Sequence, residues 1–177
     1  MSNLTKVSDL SCIFISYDEP NAEEHWADLL IKQPNAKRVH GVKGFDAAHK
    51  AAANLSDTDY FVTVDADTIV DHMFFAQLIQ LSAEQHVFSS RHNVTGILSG
   101  NGSLKIWLKD AVLSAKTHEA AEHSKHSLDF WNYFDVQYHI TREYGVTYPN
   151  SSPFHTYRSA YREAYKSISL LKNTNLS

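Results

Sequence analysis

Tyr60-Phe61-Val62-Thr63-Val64 runs directly into Asp65-Ala66-Asp67, and the architecture of the chain follows from this stretch. A short, β-branched, apolar run closed by polar residues predicts a buried strand. Upstream, Cys12-Ile13-Phe14-Ile15-Ser16-Tyr17 has the same character and ends in Asp18-Glu19-Pro20-Asn21. Between the two, Ala22 to Lys32 sets Trp26, Leu29 and Leu30 at helical spacing, with Glu23 and Glu24 in the first turn. Pro34-Asn35 stops that helix, Lys37 to His40 predicts a short strand, and the Ala-rich segment Phe45 to Asn54 after Gly41 and Gly44 predicts a second helix. Downstream, the apolar face of Phe74, Phe75, Leu78 and Ile79 predicts a helix over Asp71 to Leu81. Alternating strands and helices predict an α/β fold with a mixed, mainly parallel sheet flanked by helices.

The second half reads differently. Val87 to Ser90, Val94 to Leu98 and Leu104 to Leu108 predict strands around Gly100-Asn101-Gly102 turn chemistry. Ala115 to Leu128 is polar and His-rich, as an exposed helix or loop would be, whereas the aromatic segment Asp129 to Ile140 is compatible with a helix. Tyr148 to Pro153 reads as a loop, Thr156 to Leu171 as the last helix and Lys172 to Ser177 as a frayed tail. No linker interrupts the pattern, so residues 1–177 are expected to form one domain, 12–80 its ligand-binding half and 85–171 its acceptor side.

The 177 residues, 43% of them apolar and 20% charged, have a globular composition, which excludes collagen-like and disordered classes. A net charge of −4 leaves no general nucleic-acid footprint, and Cys12, the only cysteine, excludes an internal disulfide or a Cys-based zinc site. No apolar run reaches membrane-spanning length and the start lacks a signal-peptide core, so a cytoplasmic protein without membrane contact is expected.

In an open parallel sheet, ligands bind beyond the carboxyl ends of the strands. Two strands here end in carboxylates, Asp18-Glu19 and Asp65-Ala66-Asp67, and adjacent strands would aim them at one crevice. Carboxylates one residue apart can approach the same hard divalent cation, which can bridge a diphosphate. Asp-rich strand ends also serve simply as helix caps. Gly100-Asn101-Gly102 offers unhindered backbone N–H groups to a sugar or phosphate, and is equally an ordinary hairpin turn. Lys105 could hold a phosphate, or merely alternate along a strand. The last helix carries Tyr157, Tyr161 and Tyr165 on one stripe and Arg158, Arg162 and Lys166 on the next.

The order of strand, Tyr17-Asp18-Glu19-Pro20, Gly-rich turn, Ala-rich helix, strand and Asp65-Ala66-Asp67 resembles the GT-A glycosyltransferases, especially family 2. The resemblance spans about residues 12–80 and implies a metal-dependent transfer of sugar from a nucleotide-diphosphate sugar, UDP-sugars favoured, to a hydroxyl acceptor. It implies donor binding by Ser16, Tyr17, Asp18 and Glu19, by Lys43, Asp46 and Lys50 of a K-G-x-x-x-A-like segment, and by Asp65, Ala66, Gly100, Asn101 and Lys105. Asp65, Asp67 and His155 would hold Mn²⁺ or Mg²⁺. On the last helix, Arg158 or Arg162 would neutralise the leaving diphosphate, or the basic stripe would track an acceptor phosphate backbone, or it is simply a solvated face; Asp129 would be the general base beneath the sugar, with His118 and Glu119 as rivals, each equally a helix cap or an exposed polar residue. Segments around Gly100, His118 and His155 resemble phage-encoded members, which implies a hydroxymethylated pyrimidine in DNA as acceptor and the cytoplasm of a bacterium or infected host cell.

Other readings fare differently. His118 and His123 are five apart, which rotates them about 140° from one another and defeats a zincin site. A nucleotidyltransferase would share the core and the Asp, but calls for a Gly- and Arg-rich loop where Asp18-Glu19-Pro20-Asn21 stands. A non-catalytic nucleotide-sugar-binding or interaction domain is the alternative, in which exposed tyrosines on the last helix would mark a partner or homo-oligomer face.

Overall fold

The computed structural model describes residues 4–100, 103–115 and 134–174. In it the two apolar runs are β2 (Ser11–Ser16) and β4 (Tyr60–Asp65), parallel neighbours with Ile13 opposite Thr63 and Ile15 opposite Asp65. Around them a six-stranded sheet runs in the order β11 (Val136–His139), β7 (Gln85–Phe88), β10 (Leu104–Leu108), β4, β2 and β3 (Lys37–His40). Only β10 opposes the others, because it pairs antiparallel with both β4 and β7 while the remaining pairs are parallel. The mixed, mainly parallel sheet is therefore as expected.

Both faces of the sheet are covered, which is why its strands read as continuous apolar runs rather than as alternation. Alternate residues serve opposite sides. Cys12, Phe14, Val62 and Val64 pack with Leu29 of α1 (Ala22–Lys32). Ile13, Phe61 and Trp107 pack with Ala52 and Ala53 of α2 (Phe45–Leu55) and Val112 of α3 (Lys109–Ser114). Gly44 caps α2 with φ 97°, a left-handed geometry that glycine adopts without strain. The indole N–H of Trp107 donates to the Thr63 hydroxyl at 2.9 Å inside this second core.

The chain crosses from α1 through β3 on one side of β2, then through α2 to β4 on the other. The order of strands thus reverses between β2 and β4, and the carboxyl ends of those two strands flank the crevice.

Several segments depart from expectation. No helix forms over 71–81: Asp71 Oδ1 accepts from Met73 N (2.7 Å), a 3-10 turn spans His72–Phe74, and β6 (Leu78–Gln80) follows. The reason is tertiary, since β6 pairs antiparallel with β1 (Leu4–Lys6), which offers its backbone a ladder, while Phe74 and Phe75 are both buried in one core. Over 94–98 a turn with Gly96 at φ 70° replaces most of the expected strand, and only β9 (Leu98–Ser99) pairs with β8 (Ser90–His92). β8 also joins β12 (Gly145–Thr147), which pairs with β5 (Thr68–Val70) in a four-stranded sheet beside the main one. Of the segment 129–140, Val136–His139 is strand rather than helix, drawn in by the open edge of β7, and 129–133 lie outside the described residues. The last helix, α4, is longer than expected, Pro153–Thr174. Among the described residues no helix is long and apolar enough to cross a membrane.

Candidate functional site

Both acidic strand ends open into a cavity of about 310 Å³. Glu19 reaches it from the loop after β2, Asp65 and Asp67 from the end of β4, Ser103 from the start of β10, Thr147 and Tyr148 from β12, and His155, Arg158 and Arg162 from α4. One wall is thus acidic, and the facing helix sets two guanidiniums, with Glu163 beside them, against it.

The acidic turn is held closely. Asp65 N donates to Ser103 O at 2.9 Å, Ala66 N to Ile15 O at 2.9 Å, and Asp67 O accepts from Tyr148 N at 2.7 Å. A second carbonyl of the turn, Ala66 O, accepts from the ring Nδ1 of His25 at 2.8 Å. Asp67 Oδ1 accepts from the Thr68 hydroxyl at 3.2 Å. Thr68, in turn, meets a buried hydroxyl cluster with Thr147 (3.3 Å), which touches Ser90 (2.8 Å) and Ser103 (3.0 Å).

Burial pushes the Asp65 carboxyl up from 3.8 to about 7; Lys105 pulls it down, the negative charges of Asp67 and Glu19 raise it further, and Arg162 opposes them. Asp67 is also raised, chiefly by burial, against the hydrogen bond from Thr68. Two carboxylates in this state are poised to exchange a proton for a cation.

On the basic wall, Ser152 caps α4: its Oγ accepts from His155 N at 3.2 Å, and Pro153 opens the first turn, where its missing N–H costs nothing. Asp18 Oδ1, which can only accept, lies 3.4 Å from His155 Nε2, so Nε2 carries a hydrogen, while the Ser152 hydroxyl lies 2.7 Å from Nδ1. Arg158 reaches the same carboxylate oxygen at 3.5 Å. Ser-Pro-Phe-His is therefore a helix start that presents His155 and Arg158 to the loop after β2.

The structure brings together Glu19, Asp65, Asp67, His155, Arg158 and Arg162, with Asp18 at the rim. The other expected residues that the structure describes do not line the cavity. The Ser16 hydroxyl is 2.9 Å from Arg38 Nε and 3.0 Å from His40 Nδ1. Tyr17 is exposed, its N–H on Glu19 Oε2 (2.8 Å), and Lys43 is exposed as well. Asp46 and Lys50 pair with one another at 3.0 Å, and Lys50 also donates to Ala115 O. Ala66 is buried in the turn. Gly100 packs beneath β11: a Cβ there would stand 3.3 Å from both Tyr138 and Val87. Lys105 is fully buried, its ammonium 5.2 Å from the Trp107 ring and 5.6 Å from Phe45. Asn101, His118, Glu119 and Asp129 lie outside the described residues.

Sequence reasoning missed His25, Thr68, Thr147, Tyr148 and His92, none of which belongs to a motif. Among the described residues no three His, Cys, Asp or Glu side chains are grouped to hold a metal ion by themselves.

No family model matches the sequence, and no curated protein matches it. Among solved structures the chain is similar to HddC from Yersinia pseudotuberculosis, at 17% identity and TM-score 0.46, with 88% of this chain and 80% of that chain covered. A second structure of HddC, complexed with GMP-PN, matches at 16% identity and TM-score 0.46, with 84% and 77% covered. The bifunctional IspDF from Campylobacter jejuni matches at 12% identity and TM-score 0.47, with 75% of this chain and 49% of that chain covered. None of the three is named as a glycosyltransferase. The expectation of a GT-A glycosyltransferase is corrected accordingly, and with it the sugar transfer to a hydroxyl acceptor, the modified-DNA acceptor and the reading of Asp65-Ala66-Asp67 as that family's motif.

Proposed function

We propose that the chain is a nucleotide-binding enzyme that acts at the phosphates of a nucleoside phosphate, in the manner of nucleotidyl transfer, with a divalent cation shared between the Asp65–Asp67 turn and the ligand. The observation that carries this reading is the opposition of charge across one cavity, carboxylates on the sheet side and guanidiniums on α4. A phosphate alone would be repelled by Asp65, Asp67 and Glu19, and a cation alone by Arg158 and Arg162. A cation–phosphate pair satisfies both walls at once.

The donor set fits such an ion. Two hard carboxylate oxygens with raised proton affinity stand at the cavity floor, and Mg²⁺ commonly takes one or two carboxylates and completes its shell with water and substrate phosphate. That explains how a site can work without a third protein ligand. When bound, the cation would draw charge from the phosphate oxygens. Arg158 and Arg162 would hold the same phosphates from the opposite side, and Tyr148 and Phe45 would border the nucleoside. The absence of Gly and Arg from residues 17–21, which spoke against nucleotidyl transfer in the sequence, loses its force once α4 supplies guanidiniums to the same crevice.

The test is thermal stability against the four nucleoside triphosphates with and without Mg²⁺, beside Asp67→Asn, followed by pyrophosphate release with a panel of phosphorylated alcohols. A Mg²⁺-dependent shift with one nucleotide, absent in Asp67→Asn, supports binding, and pyrophosphate release supports transfer. No shift with any nucleotide refutes the whole reading; a shift without release over the panel refutes the transfer.

A further inference from the structure

His25 has no part in the chemistry above, yet it is only 4% exposed and both of its ring nitrogens are engaged. It sits in the first turn of α1, four residues after Asn21. The side-chain amide nitrogen of Asn21, which can only donate, lies 3.2 Å from Nε2. Nε2 therefore accepts, and Nδ1 carries the hydrogen that it donates to Ala66 O at 2.8 Å. The ring also lies 5.5 Å from that of Tyr148, whose N–H holds Asp67 O.

We infer that His25 is a positioning residue for cation and nucleotide binding: its Nδ1–H fixes the Ala66 carbonyl and thereby the direction in which Asp67 presents its carboxylate to the cavity. The inference rests on the proposed function. Its basis is an asymmetry in the turn. Asp65 N, Ala66 N and Asp67 O are held by backbone partners on other strands and loops, whereas Ala66 O is held by this one side chain. Ala66 is 1% exposed, so solvent scarcely reaches this residue while the imidazole is in place. Without it the Ala66–Asp67 peptide loses the partner that sets its plane, and the rotation of that plane is what aims Asp67. The bond thus joins the loop after β2, the acidic turn and the Tyr148 wall through a single imidazole. Partners that orient metal-binding side chains in this way are typically worth about 10–100-fold in metal affinity.

Two conservative variants separate the hydrogen bond from the bulk of the ring. His25→Asn keeps an N–H donor near the position of Nδ1; His25→Gln moves the donor outward, to the position of Nε2. Mn²⁺ is the probe, with free ion read by electron paramagnetic resonance, on full-length protein whose fold is checked by circular dichroism. The expected result is an affinity about 10–100-fold weaker in His25→Gln and within about threefold of wild type in His25→Asn. Equal affinities in the two variants, weak or strong, would overturn the positioning role. Native-state amide exchange over residues 65–68, compared with 61–64 of β4, gives a readout that needs no ligand. Faster exchange there in His25→Gln than in His25→Asn supports the inference, and identical exchange overturns it. If wild-type protein binds no Mn²⁺, the proposed function fails, and the exchange comparison still decides the role of His25.

Discussion

Replacing Asp65 by Asn should stabilise the ligand-free fold at alkaline pH while it removes cation binding. Burial raises this carboxyl from 3.8 to about 7. A group whose proton is held more tightly in the fold than in the unfolded chain contributes stability at low pH and loses it as pH climbs through the window from 3.8 to 7. The full rise corresponds to about 4 kcal/mol at 1.36 kcal/mol per pH unit. Asp65 keeps part of its surface open to the cavity, where water screens its charge, so about half of that, ~2 kcal/mol, is the expected effect. Asn is isosteric and never ionises, so it escapes the loss. At pH 8 the variant should melt about 4–8 °C above wild type, given about 2–4 °C per kcal/mol for a chain of this size. The advantage should shrink steadily as pH falls toward 4. Melting curves at pH 8, 6.5 and 5 without divalent cations, repeated with Mg²⁺ and nucleotide, provide the assay. A variant no more stable than wild type at pH 8, or an advantage that persists unchanged into acid, would refute the electrostatic reasoning.

Burial also holds His49 well below its ordinary value, at about 3, so the unfolded chain takes up a proton below pH 6.5 that the fold refuses. Denaturant midpoints should therefore fall between pH 6.5 and 4, at up to about 1.4 kcal/mol per pH unit from this site, and His49→Gln should flatten that slope. An unchanged slope would remove His49 as its source. Gly145→Ala should disrupt the four-stranded sheet, because the added Cβ would stand 2.7 Å from the Ile69 carbonyl oxygen. The expected cost is about 1–3 kcal/mol, read as a drop in melting temperature, with faster exchange in β5 and β12. A neutral substitution would show that the two strands can separate freely.

Much of the first half was legible because its information is local. The β-branched runs at 12–17 and 60–64, the amphipathic spacing of Trp26 and Leu29, and the turn residues between them each encode an element within a few residues. Asp65 and Asp67 could be singled out because the carboxyl end of a buried strand is where α/β sheets hold ligands. Residues 71–81 misled because their apolar pattern suits a helix, while β1, more than sixty residues away, offers the same backbone a strand partner. His25 and Thr147 were invisible for a related reason: each matters through a hydrogen bond to a segment distant in sequence, and nothing beside it in the chain announces the partner. Composition and periodicity thus set the α/β class, the first strands and the acidic turn. Which helix faces that turn, how its carbonyls are held and how far burial raises its carboxyls depend on pairings that exist only once the chain is folded, because hydrogen bonds and desolvation act across space and leave no period in the sequence.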